Sequence, residues 1–303
     1  MNFIEFTEMV AEDIKKYLPE EYKDAEVRIY KTLKNKQELT GVVIKKPENV
    51  VTPTIYLDKA YEDYMDGTSK YEILDNIAQI RIENEVDSAD GIIEVIKNWD
   101  IAKERIIPSL VGYEENERFL SGKPYKLISD LAAVYRVVIE NNESICRTTS
   151  CIVTDDILVN WGISKEELHE VAISNIPNVI PSEFKGMSEN CKELIIQPGA
   201  DIDMDFPKEE FMYILSNKDN FYGAANILDK ETTLTWIHTI LGDCYLLPSS
   251  INEWIIIPMH KVDNVTMLKR IVKDVNDKEI SPDEILSYSI YMLDKDLEIK
   301  KVC

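Results

Sequence analysis

Residues 246–258 read LLPSSINEWIIIP, two apolar runs split by a prolyl-seryl-seryl break. A serine on a sharp turn, Ser249 or Ser250, could act as a hydrolase nucleophile if His238 or His260 took its proton. The elbow that presents such a serine between a strand and a helix is G-x-S-x-G. Here both glycines are missing and a second β-rich run follows, so the stretch reads first as a turn. Pro248 presets the turn, and serine hydroxyls readily bond nearby backbone groups.

Other residues with chemical potential are sparse. His169-Glu170 does not open a metalloprotease HExxH helix, because position 173 is isoleucine. His238 lies between Trp236 and Ile240 on an apolar helix, and His260 follows the run EWIIIPM. The segment GADIDMDF places Asp201, Asp203 and Asp205 at alternate positions, as a calcium loop would. Phe206 occupies the place that needs glycine, however, and Met212 stands where the bidentate glutamate should be. On a strand, the same alternation turns three carboxylates to solvent and Ile202, Met204 and Phe206 inward. Neither GxGxxG nor GxxxxGK[ST] occurs, so no nucleotide cofactor is expected. The five cysteines form no CxxC pair and read as ordinary thiols, with no metal expected.

Charge limits the partners. Among 303 residues, 56 acids face 34 bases, a net charge of −22. The excess is spread widely, with 26 acids against 17 bases through residue 125 and 30 against 17 beyond it. Phosphate backbones and anionic membranes both demand basic surface, so direct nucleic-acid binding and membrane association are disfavoured. A basic protein partner, including one that itself handles nucleic acid, suits such a surface. The first residues, MNFIEFTEMVAEDIKKY, carry acids where a signal peptide is apolar, so a cytoplasmic location is expected.

These groups must be carried by a scaffold whose local signals are clear in places. Asn2 with Glu5, Ser69 with Glu72, and Ser164 with Glu167 have the spacing of helix-capping boxes. The helix after Ser69 sets Ile73, Ile77, Ile80 and Asn84 on one stripe. Runs AEVRIYKTL and ELTGVVIKK flank KNKQ as a hairpin, and LAAVYRVVIE and ICRTTSCIVTD flank NNES as another. Short helices are expected over 91–98 and 101–107, and strands at FMYILSN, CYLLP, EWIIIP and ILSYSIYMLD. Helices fit ETTLTWIHTILG and VTMLKRIVKDVN. Gly122 and Pro124 mark a boundary between a helix-rich domain with a hairpin, 1–122, and an α+β domain, 123–303, whose sheet is largely antiparallel with packed helices.

Several stretches together resemble an uncharacterised domain-of-unknown-function family found among accessory genes of anaerobic gut bacteria. They include TPTIYLDKAYEDYMDG, NWGISKEELHEVAISNIP, YILSNKDNFYGAANIL, YLLPSSINEWIIIP and VNDKEISPDEILSYSIYMLD. The resemblance runs from about residue 40 to the end. Its WG-then-capped-helix piece is similar to a second uncharacterised family. Neither resemblance implies an activity, and members of the first often carry histidine where this chain has Asn252. The sequence therefore predicts a non-enzymatic binding or regulatory protein, with a hydrolase at Ser249 or Ser250, or a cation site at the three aspartates, as the rival reading. It fixes no oligomeric state.

Overall fold

In a computed structural model of the chain, the described residues are 1–49, 52–85, 89–142, 147–189 and 210–303. The chain divides into two compact units, Met1–Glu94 and Val95–Cys303. The fold is α+β, with a helical N-terminal part followed by antiparallel sheets.

In the first unit, helix α1 (Phe3–Asp13) opens on a complete capping box between Asn2 and Glu5. It buries Phe6, Val10 and, one turn on, Ile14. Strands β1 (Glu26–Lys34) and β2 (Gln37–Lys45) form the expected hairpin. Asn35 and Lys36 turn it with φ of 27° and 50°, the left-handed pair that matches strand twist in a two-residue hairpin. A third strand, β3 (Thr54–Tyr56), adds to β2, so the expected hairpin is two-thirds of a sheet. Helix α2 (Asp58–Met65) follows, then α3 (Lys70–Glu83), whose Ser69–Glu72 capping box forms in full. The buried stripe of α3 runs Ile73, Ile77 and Arg81, with Leu74 and Ala78 beside it. Ile80, expected on that stripe, is exposed. At ~100° per residue, a line through 73 and 77 continues to 81, not to 80.

Helix α4 (Ala89–Lys97) leads into the second unit. After it, the expected helix over 101–107 stops early. Trp99–Ala102 and Lys103–Arg105 make single turns, and Ile106–Gly112 is a strand, β4. Pro108 is accommodated because, among the described residues, β4 pairs with β6 (Leu131–Asn142) alone. Along its other edge β6 pairs with β5 (Tyr125–Ile128) and then β7 (Arg147–Ile152). The expected boundary at 122/123 therefore falls inside this unit, because β4 precedes that point and pairs with a strand that follows it. Helices α5 (Asp155–Trp161) and α6 (Lys165–Ser174) pack beside this sheet, burying Leu158, Leu168 and Ala172 with Tyr135 and Val137 of β6.

A six-stranded antiparallel sheet completes the unit in the order β13-β12-β10-β11-β9-β8. Its strands are β8 (Ser182–Gly186), β9 (Tyr213–Asn217), β10 (Cys244–Pro248), β11 (Trp254–Pro258), β12 (Tyr291–Leu293) and β13 (Ile299–Lys301). Only Tyr291–Leu293 of the expected strand ILSYSIYMLD is in the sheet. One face of this sheet shares a core with the first: Leu110, Leu131 and Ala133 join Leu215, Leu246, Trp254 and Ile256. Helix α7 (Thr235–Leu241) contributes Ile237 to the same core. Because strand side chains alternate, Leu247 and Ile257 point the other way, where α8 (Val265–Glu279) covers them with Leu268 and Val272.

Candidate functional site

The Pro-Ser-Ser stretch is the turn of the β10–β11 hairpin, and its polar groups are turned inward. The Ser249 and Ser250 N–H groups both donate to Glu253 O at 3.3 Å. Ser249 Oγ donates to Glu253 Oε1 at 2.8 Å, and Ser250 Oγ accepts the Asn252 N–H at 3.0 Å. Asn252 Oδ1 accepts the Tyr222 N–H at 3.1 Å, and its carbonyl accepts Ser216 Oγ at 2.7 Å. This holds Tyr222 at φ 52°, a left-handed conformation that a tyrosine adopts only under constraint. The neighbouring Gly223 is needed for space, since a Cβ there would lie 2.4 Å from Asn252 O. Asn252 thus holds a backbone-anchoring amide, which locks segment 216–224 against the turn.

The histidines proposed as partners for these serines sit at the other end of the hairpin. Pro248 is opposite Trp254 at the turn, whereas Cys244 is opposite Pro258 at the far end. That separation is four residues, roughly 13 Å of extended strand. His238 pairs with Asp243 at 3.1 Å, next to Cys244, and His260 follows Pro258. The fold brings neither histidine to Ser249 or Ser250. Asp201, Asp203 and Asp205 lie outside the described residues. Among the described residues, no cluster of three or more His, Cys, Asp or Glu side chains could hold a metal ion.

Two concave sites stand out among the described residues, both in the second unit. The larger, about 570 Å³, lies between α6 and the segment Leu228–Thr232. His169 lines it, with Nδ1 3.1 Å from the Tyr135 hydroxyl. Burial pushes the His169 imidazole down to about 4, so the ring is neutral at pH 7. The other polar groups here are largely engaged by the protein. Asp229 accepts the N–H groups of Thr232 and Thr233, Ser174 donates to Val171 O at 2.8 Å, and Lys230 pairs with Glu298 at 2.6 Å.

The smaller cleft, about 150 Å³, is lined by Gly112–Glu115, Asp130, Leu286–Ser289 and Lys301. At its base a chain of donors converges on Asp130. The Ser289 N–H donates to Ser287 Oγ at 3.0 Å, that hydroxyl lies 2.9 Å from Tyr291 Oη, and Tyr291 donates to Asp130 Oδ1 at 2.6 Å. Lys301 Nζ and Ser289 Oγ reach Asp130 Oδ2 at 2.8 and 3.2 Å. Burial opposes ionisation of Asp130, but the lysine and tyrosine donors outweigh it and hold the carboxyl below its usual range. Of the other lining residues, Glu114 and Glu115 are exposed and Tyr113 and Tyr288 are half-buried. Three carboxylates against one lysine leave the cleft anionic, with aromatic walls. Such a cleft can bind and orient a cationic group, by charge and by contact with ring faces.

None of the cleft residues was singled out by motif. Asp130 is a lone acid after a strand, and Ser287, Ser289 and Tyr291 fall within a run that reads as a strand. The pattern of DUF5688 matches residues 3–295. The chain belongs to this family of unknown function. No curated protein and no solved structure matches it. Both concave sites of this DUF5688 chain lie within the matched span except for Lys301 and Glu298, the latter reaching Lys230 from outside it. Among the described residues, no helix is long and apolar enough to cross a membrane.

Proposed function

We propose that this DUF5688 chain is a binding or regulatory protein of the cytoplasm that engages a basic macromolecular partner through its acidic surface, without chemistry of its own. The anionic, tyrosine-walled cleft above Asp130 is the observation that carries this reading. It joins the net charge of −22 to a defined place where a lysine or arginine side chain of the partner would enter. A partner that handles nucleic acid has the basic surface this requires, and inhibition or modulation of such a protein follows from occupying it. The accessory-gene setting in anaerobic gut bacteria that the sequence resemblance implies accords with such a role.

The test is a tagged pull-down from host lysate at low and high salt, using the native chain and a Glu114→Lys/Glu115→Lys variant. A stoichiometric basic partner, released by salt and lost in the variant, is the expected result. Binding that ignores both salt and the charge reversal would overturn the reading. Both glutamates are exposed, so the variant is expected to unfold at the native temperature within a few degrees.

A further inference from the structure

Helix α8 presents apolar side chains on two adjoining faces. Leu268 and Val272 are buried against the six-stranded sheet. Met267, Ile271 and Val275 are 63%, 43% and 36% exposed. Their four-residue spacing places them on one stripe along the outside of the helix. Three large apolar side chains in a row form a contiguous exposed patch, the kind of surface that interaction sites present.

The charges around this stripe indicate what docks there. The helix carries four bases (Lys269, Arg270, Lys273, Lys278) against three acids (Asp274, Asp277, Glu279), on a chain whose net charge is −22. It is a place where a second, equally acidic chain can approach without meeting a dense row of carboxylates. The arrangement is also self-complementary. In an antiparallel pairing centred on Ile271, Met267 of one copy falls beside Val275 of the other. Arg270 of each then lies about 3 Å along the axis from the level of Asp274 of the other, on the same flank and within reach of an arginine side chain. A two-fold axis repeats each of these pairs, which is the requirement for an isologous dimer. Lys273 and Asp277, paired with each other at 2.6 Å, lie on the flank away from the stripe.

We infer that the exposed face of α8 is a self-association surface whose occupant is a second copy of this chain. One helix pair is a small interface, so the dimer is expected to dissociate in the micromolar range.

Sedimentation velocity on the full chain, from low to high micromolar concentration, tests this. The native chain is expected to shift from monomer to dimer with concentration. Ile271→Asp is expected to raise the dissociation constant at least about tenfold, an exposed change that leaves circular dichroism unaltered. Arg270→Asp and Asp274→Arg are each expected to weaken the dimer, and the two together in one chain to restore it. A native chain that stays monomeric throughout would overturn the inference. So would a dimer untouched by Ile271→Asp, or a double exchange no tighter than either single one. A monomer that instead binds phosphatidylglycerol vesicles through Ile271 would overturn it in favour of a membrane-surface role.

Discussion

Each unit contains a carboxylate that receives a tyrosine hydroxyl and a basic side chain, yet the two clusters do different work. In the first unit, Glu85 accepts Tyr22 Oη, Asn49 Nδ2 at 2.8 Å, and Arg81 Nη1 and Nη2 at 2.9 and 3.3 Å. Arg81 is fully buried, its Nε donates to Ile44 O at 2.9 Å, and its guanidinium lies over the Tyr22 ring at 5.0 Å. In the second unit, Asp130 has a similar partner set, but its base is Lys301, an exposed side chain, and the cluster floors an open cleft. The first ties α3 to β2 through a fully buried base, with the Glu85 side chain 21% exposed. The second is a surface whose donors and acceptors stay within reach of a ligand. What separates the two clusters is the burial of the base, 0% exposed for Arg81 against 46% for Lys301, since the carboxylates themselves are 21% and 26% exposed.

The comparison is broken most directly at Glu85. Glu85→Ala would leave the Arg81 charge buried without its partner, and is expected to destabilise the first unit by about 3–5 kcal/mol. All four tryptophans lie in the second unit, so the loss should show in hydrogen exchange of α1 and α3 and leave tryptophan emission native. Acid should produce the same effect in the native chain. Burial opposes ionisation of Glu85, but Tyr22, Asn49 and Arg81 together hold it down at about 2, against an ordinary 4.5. A carboxyl depressed on folding stabilises above its unfolded value and ceases to do so as pH falls through its folded one. The first unit should therefore lose about 3 kcal/mol between pH 4.5 and 2.

At Asp130 the expected loss is smaller. Asp130→Ala removes the acceptor for Tyr291, but Lys301 is free to turn to solvent, and water can enter the cleft. A cost of about 1–3 kcal/mol follows, read as a lowered urea midpoint of tryptophan emission with unchanged slope. A loss matching that of Glu85→Ala would show that the two clusters are equally closed.

How much of this was legible in the sequence depended on distance along the chain. The capping boxes at Asn2 and Ser69 formed as expected, because three residues contain the whole interaction. The Asn35-Lys36 hairpin is local in the same sense. Strand β4 is hidden in the sequence because Pro108 reads as a stop, which the strand tolerates because it pairs, among the described residues, with β6 alone. The cleft was illegible for a stronger reason: Asp130 and Tyr291 are 161 positions apart, and neither sits in a motif. At Ser249 and Ser250 the missing glycines already favour a turn over a nucleophile; the hydroxyls bond within that turn, and His238 and His260 flank the opposite end of the hairpin, which only the strand pairing reveals.

The finest distinction between the clusters lies in their tyrosines. Tyr22 and Tyr291 are both buried, and each donates its hydroxyl to the carboxylate. Replacing either with phenylalanine keeps the ring and removes one charge-assisted hydrogen bond, worth about 1.5–3 kcal/mol where nothing replaces it. Tyr22 Oη bonds Glu85 with no serine hydroxyl beside it among the described residues, so Tyr22→Phe should cost near the top of that range. Around Asp130, the Ser287 hydroxyl that lies 2.9 Å from Tyr291 Oη remains, and the cleft admits water, so Tyr291→Phe should cost about 1 kcal/mol. Paired denaturation of the two variants, each read in its own unit by hydrogen exchange, gives a difference of about 1–2 kcal/mol if the Ser287 hydroxyl and the cleft water replace the lost bond. Equal costs would mean that neither does, and the cleft would then be a surface depression over a structural knot.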